Sequence, residues 1–177
     1  EGVEGIDPET KIIGLVGAMD APVINDFIAG FRHGVRSVDE TLDVQVLYAG
    51  DFGDPAKGLE LASSLIENGA DIVYNVASLT GQGVLQAAAE TGHYAIGVDS
   101  DQCDIQPGSI LASMMKRFES TTYLTVEKFV NDELQGGEIY SYGLANGGVE
   151  LRFCEQTADI VPDELVASIE EAKEQII

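Results

Sequence analysis

The feature that most restricts the fold is a change of apolar period that repeats along the first hundred residues. KIIGLVG (11–17) is a continuous apolar run of strand length, and from Pro22 onward Val23, Phe27, Phe31, Val35 and Val38 recur at helical spacing. DVQVLYAG (43–50) predicts the next strand. Pro55 then stands where a first helical turn tolerates proline, and Leu59, Ala62, Leu65 and Ile66 make one face up to Asn68-Gly69. ADIVYNVA (70–77), a helix over 80–92 and YAIGVD (94–99) continue the alternation. Strands that are apolar on both sides need helices on both sheet faces. The pattern therefore predicts an α/β fold, a parallel sheet flanked by helices.

Beyond Asp99 the rhythm changes. SDQCDIQPG reads as a polar loop and ILASMMK (110–116) as strand-like, and FESTTYLTVEKFVNDELQGG predicts a long helix stopped by Gly136-Gly137. EIYSYGLANGGVELRF (138–153) predicts a hairpin turning at Asn146-Gly147-Gly148. An acidic amphipathic helix over 162–176 would bury Leu165, Val166, Ile169 and Ile176. The 177 residues suffice for one domain with a substantial core, and no apolar run approaches the ~18 to 20 residues that span a bilayer. The opening EGVEGIDPETK lacks the features of a secretory signal, so a signal is either absent altogether or lies outside this sequence.

Asp and Glu total 31 against 9 Lys and Arg, a net charge of -22. Such a surface repels a polyanion, and no basic stripe offers a local exception, which argues against nucleic acid as a partner. The acids are spread over helix faces and loops, as expected for solubility or adaptation to salt. Cys103 and Cys154 match no CxxC spacing and read as two buried free thiols, with a single disulfide as the alternative. No GxxxxGK[ST], GxSxG, HExxH or GxGxxG motif occurs. His33 and His93 read as surface histidines. No catalytic residue, cofactor or metal site is expected.

In an open α/β sheet, ligands collect outside the carboxyl ends of the strands. The stretches 17–22, 50–55, 77–83 and 99–107 all follow strands, so they share one edge, and all are rich in Gly, Asp, Ser or Thr. These residue types present backbone groups and short polar side chains to a small molecule.

GLVGAMDAPVINDFIAGFRHGV, YAGDFGDPAKGLELA, GADIVYNVASLTGQGVLQAA, YAIGVDSDQ, ILASMMKR and YGLANGGVEL together resemble the basic membrane protein family of substrate-binding lipoproteins. Studied members of that family bind purine nucleosides for ABC importers. The resemblance implies a two-lobed type I periplasmic-binding-protein fold about twice as long as this chain. On that analogy residues 1–10 are a linker or tail, 11–108 and 138–177 form the C-terminal lobe, and 109–137 is detached from the sheet, crossing the hinge into a largely absent N-terminal lobe. It further implies membrane subunits of an importer as partners, an extracytoplasmic location with a lipid anchor outside this chain, and room for self-association of the half chain.

The resemblance also carries site residues. Phe52 matches an aromatic that clamps the purine ring, whose flat face suits any base. Asp99 matches a ribose-binding carboxylate able to accept both hydroxyls of a vicinal diol; an N-cap or hinge hydrogen bond is its competing role. Lys116 matches a lysine near the sugar, and Met19, Thr80, Gly81 and Asp101 complete the implied set. The family's GGMD and GGTG are GAMD (17–20) and SLTG (78–81) here, so each loop loses a glycine that permits close backbone approach. An alternative is a sensory or regulatory ligand-binding domain on the same fold. A nucleoside hydrolase would need a metal-binding acidic cluster, for which DSDQCD (99–104) is the sole candidate.

Overall fold

A computed structural model describes residues 6, 7 and 9–176. Strands β1 (Ile12–Gly17), β2 (Asp43–Tyr48), β3 (Ala70–Val76), β4 (Tyr94–Asp99), β5 (Ile110–Lys116) and β6 (Val149–Phe153) form one sheet in the order β2-β1-β3-β4-β5-β6. The first five are parallel and β6 runs antiparallel to β5. Helices α2 (Pro55–Glu67) and α3 (Gly81–Thr91) cover one face, where Leu65, Val84, Leu85 and Ala88 join Val16 and Val73 in the main core. Helix α1 (Pro22–Val38) covers the other, seating Ile24 and Ile28 on Leu15, Tyr74 and Val98. Of the expected α1 stripe, Phe27, Phe31 and Val35 pack against this cluster whereas Val23 and Val38 are exposed, and the most buried positions are Ile24 and Ile28.

The packing of α2 on α3 depends on two glycines. A Cβ on Gly58 would lie 2.0 Å from the Thr80 carbonyl oxygen, and one on Gly83 would lie 1.9 Å from that of Pro55. Backbone meets backbone there, so any side chain would push the helices apart. Asp54 caps α2 by accepting from Lys57 N at 3.0 Å.

Four sequence expectations need correction. Ile110–Lys116 is not detached: it pairs with β4 and β6, and Ile110, Leu111 and Ala112 are buried, so an apolar strand of this length stays with the sheet. Helix α4 (Phe118–Val130) does follow and has no buried residue, but it ends at Val130, where Asp132 turns into the left-handed region (φ 58), short of the glycine pair.

The hairpin fails as well, because only Val149–Phe153 forms a strand; its ladder partner is the distant β5, and the Tyr142 hydroxyl instead bonds Thr125 of α4 at 2.8 Å. Helix α5 (Asp163–Ile176) forms, yet Leu165 and Ile176 are exposed and only Val166 and Ile169 are half-buried. At the start of the chain, residues 1–5 and 8 lie outside the described residues, whereas Asp7 N and Thr10 Oγ1 both donate to Asp71. No helix among the described residues is long and apolar enough to cross a membrane.

Candidate functional site

Because β1 to β5 are parallel, their carboxyl ends bring the turns after Gly17, Tyr48, Val76 and Asp99 to one edge, with Lys116 closing β5 beside them. A groove of about 130 Å³ opens there, lined by Val23, Ile24, Phe27, Phe52, Ser78, Asp99 and Lys116 among others. A second hollow of about 310 Å³, lined by Leu79, Gln82 and Gln102, shares Ser78 and Asp99 with it. A larger and almost wholly apolar hollow of about 490 Å³ lies on the α1 face, and Phe27 lines both it and the groove. It offers few polar groups to orient a ligand, so the smaller groove is the better candidate despite its size.

Asp99 lines both the groove and the hollow beside it. Its backbone is left-handed at φ 67, and Ser78, which lines both small hollows, stands at φ 53. For a non-glycine residue this conformation costs roughly 1 to 2 kcal/mol. Such strain persists only where surrounding structure over-determines it, and it gathers at ligand clamps. Lys116 Nζ lies 2.8 Å from Asp99 Oδ1. That oxygen is buried, and among the described residues no donor is aligned for a hydrogen bond to it. The two observations are compatible, since charge attraction needs proximity whereas a hydrogen bond also needs direction. The Lys116 ammonium also lies 4.7 Å from the centroid of the Phe27 ring. Behind them, burial pushes the Tyr74 hydroxyl well above the usual tyrosine range, and the Asp99 charge adds to the shift.

A buried amide pair fixes this turn. Gln102 Oε1 accepts from Asn75 Nδ2 at 2.9 Å and from Val98 N at 2.8 Å, and Gln102 N donates to Ser113 Oγ at 3.1 Å. Three strands and the turn after β4 are thereby tied together around Asp99. Sequence reasoning missed these residues; the available signal was an asparagine in the mostly apolar ADIVYNV, whose other charged or amide letter, Asp71, stands near its start.

The predicted site residues fall into three groups. Phe52, Asp99 and Lys116 are brought together on the groove. Thr80 and Gly81 are interior. Thr80 Oγ1 donates to Asp51 O and accepts from Asp54 N, both at 2.9 Å, and Thr80 N donates to Phe52 O at 3.0 Å, so its work is to hold the turn that displays Phe52. A Cβ on Gly81 would sit 1.8 Å from Asn75 Oδ1, which makes that glycine a packing requirement. Met19 is exposed but lines none of the three hollows. Asp101 is engaged elsewhere, pairing with Arg152 Nε at 2.6 Å and accepting from Cys103 N at 3.1 Å. The acids of DSDQCD thus diverge, with Asp99 on Lys116, Asp101 on Arg152 and Asp104 on Gln156.

The free-thiol expectation is overturned, because Cys103 and Cys154 form a disulfide with Cα atoms 5.4 Å apart. Both are buried in the main core. Cys154 N bonds Leu111 O, at the opposite end of β5 from Lys116. The antiparallel return of β6 brings Cys154 to that end, and spacing alone could not reveal it.

A sequence profile of the family described as ABC transporter substrate-binding protein PnrA-like (Bmp) matches residues 8–177. Basic membrane protein D of Borreliella burgdorferi is 35% identical over 81% of this chain and 43% of its own length. The ABC transporter nucleoside-binding protein BmpA of Lactococcus lactis subsp. cremoris is 31% identical over 86% of this chain and 48% of its own. The chain spans about half the length of the curated relatives it matches. A solute-binding protein of an ABC transporter system from Conexibacter woesei superposes at TM-score 0.77 and 25% identity, covering 98% of this chain and 57% of that one. A crystal structure described as a transcriptional activator of the comK gene from Bacillus halodurans superposes at 0.81 and 28%, covering 94% and 56%.

Proposed function

As the chain belongs to the Bmp family of PnrA-like ABC transporter substrate-binding proteins, we propose that it supplies the lobe that binds the sugar of a purine nucleoside, for capture outside the cell membrane and delivery to importer subunits. The observation that carries this reading is Asp99, a carboxylate held in a left-handed backbone, paired through one oxygen with Lys116 and partly exposed on a groove that Phe52 also lines. The carboxylate accepts the two hydroxyls of the ribose diol, the Lys116 ammonium donates to a sugar oxygen, and the Phe52 ring stacks on the base. The nucleoside-binding name of the Lactococcus relative supports the ligand class. Residues 117–137 cross to a second lobe that closes over the ligand. Phe118, Tyr123, Val126, Phe129 and Val130 leave α4 an exposed apolar surface that suits that role, and two copies of the half chain would associate through it when the lobe is missing. A buried disulfide fits an oxidising extracytoplasmic compartment, and a lipid anchor outside this chain would hold the protein at the membrane.

A sensory or regulatory reading, for which the description of the Bacillus halodurans structure speaks, would use the same groove. Calorimetry of full-length protein with adenosine, guanosine, inosine and ribose tests the assignment. Micromolar or tighter nucleoside binding is expected, with ribose far weaker; tight ribose binding, or no nucleoside binding, refutes it.

A further inference from the structure

Phe27 has no place in the set of site residues that the family resemblance implies, yet it lines the groove and its ring lies against Lys116. The ring centroid lies 4.7 Å from Lys116 Nζ, and the same nitrogen lies 2.8 Å from Asp99 Oδ1. Lysine carries its charge on a flexible four-carbon stem, and this one is a third exposed, so its position needs an explanation. In a chain with 31 acidic residues, any nearby carboxylate competes for the ammonium. An aromatic face attracts the cation through its quadrupole while occupying none of the lone pairs on Asp99.

Resting on the reading of Asp99 as the diol acceptor, we propose that Phe27 is a positioning residue for ligand binding, holding the Lys116 ammonium against Asp99 so that the sugar meets a preset donor and acceptor. The ring and the Asp99 charge hold the ammonium between them, and its N–H donors remain for a sugar oxygen. Preorganisation of this kind raises affinity by removing the cost of ordering the lysine when ligand arrives. Phe27 also lines both the groove and the large apolar hollow.

The test compares Phe27→Leu, which keeps an apolar side chain, with Phe27→Tyr, which keeps an aromatic face. Without ligand, carbon-13 NMR of the full-length protein should show the Lys116 Cε protons shifted upfield by the ring; Phe27→Leu abolishes that shift and Phe27→Tyr retains it. With ligand, Phe27→Leu should weaken adenosine about fivefold and 2′-deoxyadenosine by less, and Phe27→Tyr should restore adenosine to within about twofold. Unchanged Lys116 resonances in Phe27→Leu, or equal losses in both variants or for both nucleosides, overturn the proposal. If the unsubstituted protein binds no nucleoside, the functional reading fails, while the ligand-free spectra still decide whether Phe27 holds Lys116.

Discussion

Replacing both bridged cysteines by alanine removes the Cys103–Cys154 link, and its effect can be estimated from the length of chain it closes. The two residues are 51 apart in sequence. In the chain-entropy account a cross-link over ~15 residues contributes ~3 kcal/mol and one over ~100 residues ~4.7 kcal/mol, which puts this one at about 4 kcal/mol. The loss of two sulfur atoms from a packed core adds to that figure, since Cys103 and Cys154 are 6% and 2% exposed within the main cluster. Against a typical stability of ~5 to 15 kcal/mol the change is large. Urea unfolding followed by circular dichroism measures it, and the slope is as informative as the midpoint. A denatured chain released from the link is more expanded, so the double variant should show a lower midpoint together with a steeper dependence on urea. A midpoint shift worth less than about 1 kcal/mol with an unchanged slope would refute the argument that the link acts on the unfolded state.

Asp99→Ala should weaken nucleoside binding most, by about 2 to 3 kcal/mol as expected for hydrogen bonds to a charged acceptor, measured by calorimetry against Phe52→Ala, whose stacking loss is about 1 to 3 kcal/mol. Thr80→Val keeps the volume but strands Asp54 N and Asp51 O, so it should destabilise by about 1 to 3 kcal/mol and loosen the Phe52 turn, seen as faster amide exchange at residues 52–54; unchanged exchange would contradict the pinning role. Hydrogen bonds from the Thr41 hydroxyl and backbone, with Lys11 nearby, hold the Asp39 carboxyl at about 2. A depressed carboxylate contributes stability above its unfolded value that disappears as pH falls through the folded one, so Thr41→Ala, which removes the hydroxyl and keeps the backbone donor, should move the Asp39 titration seen by NMR upward toward 3.8, and no movement would dismiss the hydroxyl as a cause. With a net charge of -22, thermal stability should rise between 0.05 and 1 M sodium chloride as the Debye length contracts from above 10 Å to about 3 Å; a flat melting temperature would exclude self-repulsion as a significant cost.

The layers were legible because period and length are local properties. Leu59, Ala62, Leu65 and Ile66 announce the buried face of α2, and the runs at 11–17 and 70–77 could only be interior strands. Where the reading failed, the deciding partner was distant in sequence. Val149–Phe153 joins β5 as an edge strand, a choice made by the free edge of Ala112–Lys116 and not by the turn residues at 146–148. The same return brings Cys154 to Cys103. In the site, Phe52, Asp99 and Lys116 came from the resemblance, and the groove gathers all three. Residues that act at second hand stayed hidden: Gln102 and Asn75 are ordinary polar letters until their amides meet inside the sheet, and Phe27 reads as one more apolar position on a helix.

The contact of α2 with α3 through Gly58 and Gly83, together with the three bonds made by Thr80, joins two loops that are separate in the chain. The turn carrying Phe52 and the turn carrying Ser78 cannot change length independently, because an inserted residue in either would break its bonds to the other. Redesign for a different ligand therefore has little to gain from grafting or lengthening these loops. The open route is point substitution at positions whose side chains face outward from the locked frame, and Leu79, which is 48% exposed and lines the hollow beside Asp99, is the natural first choice.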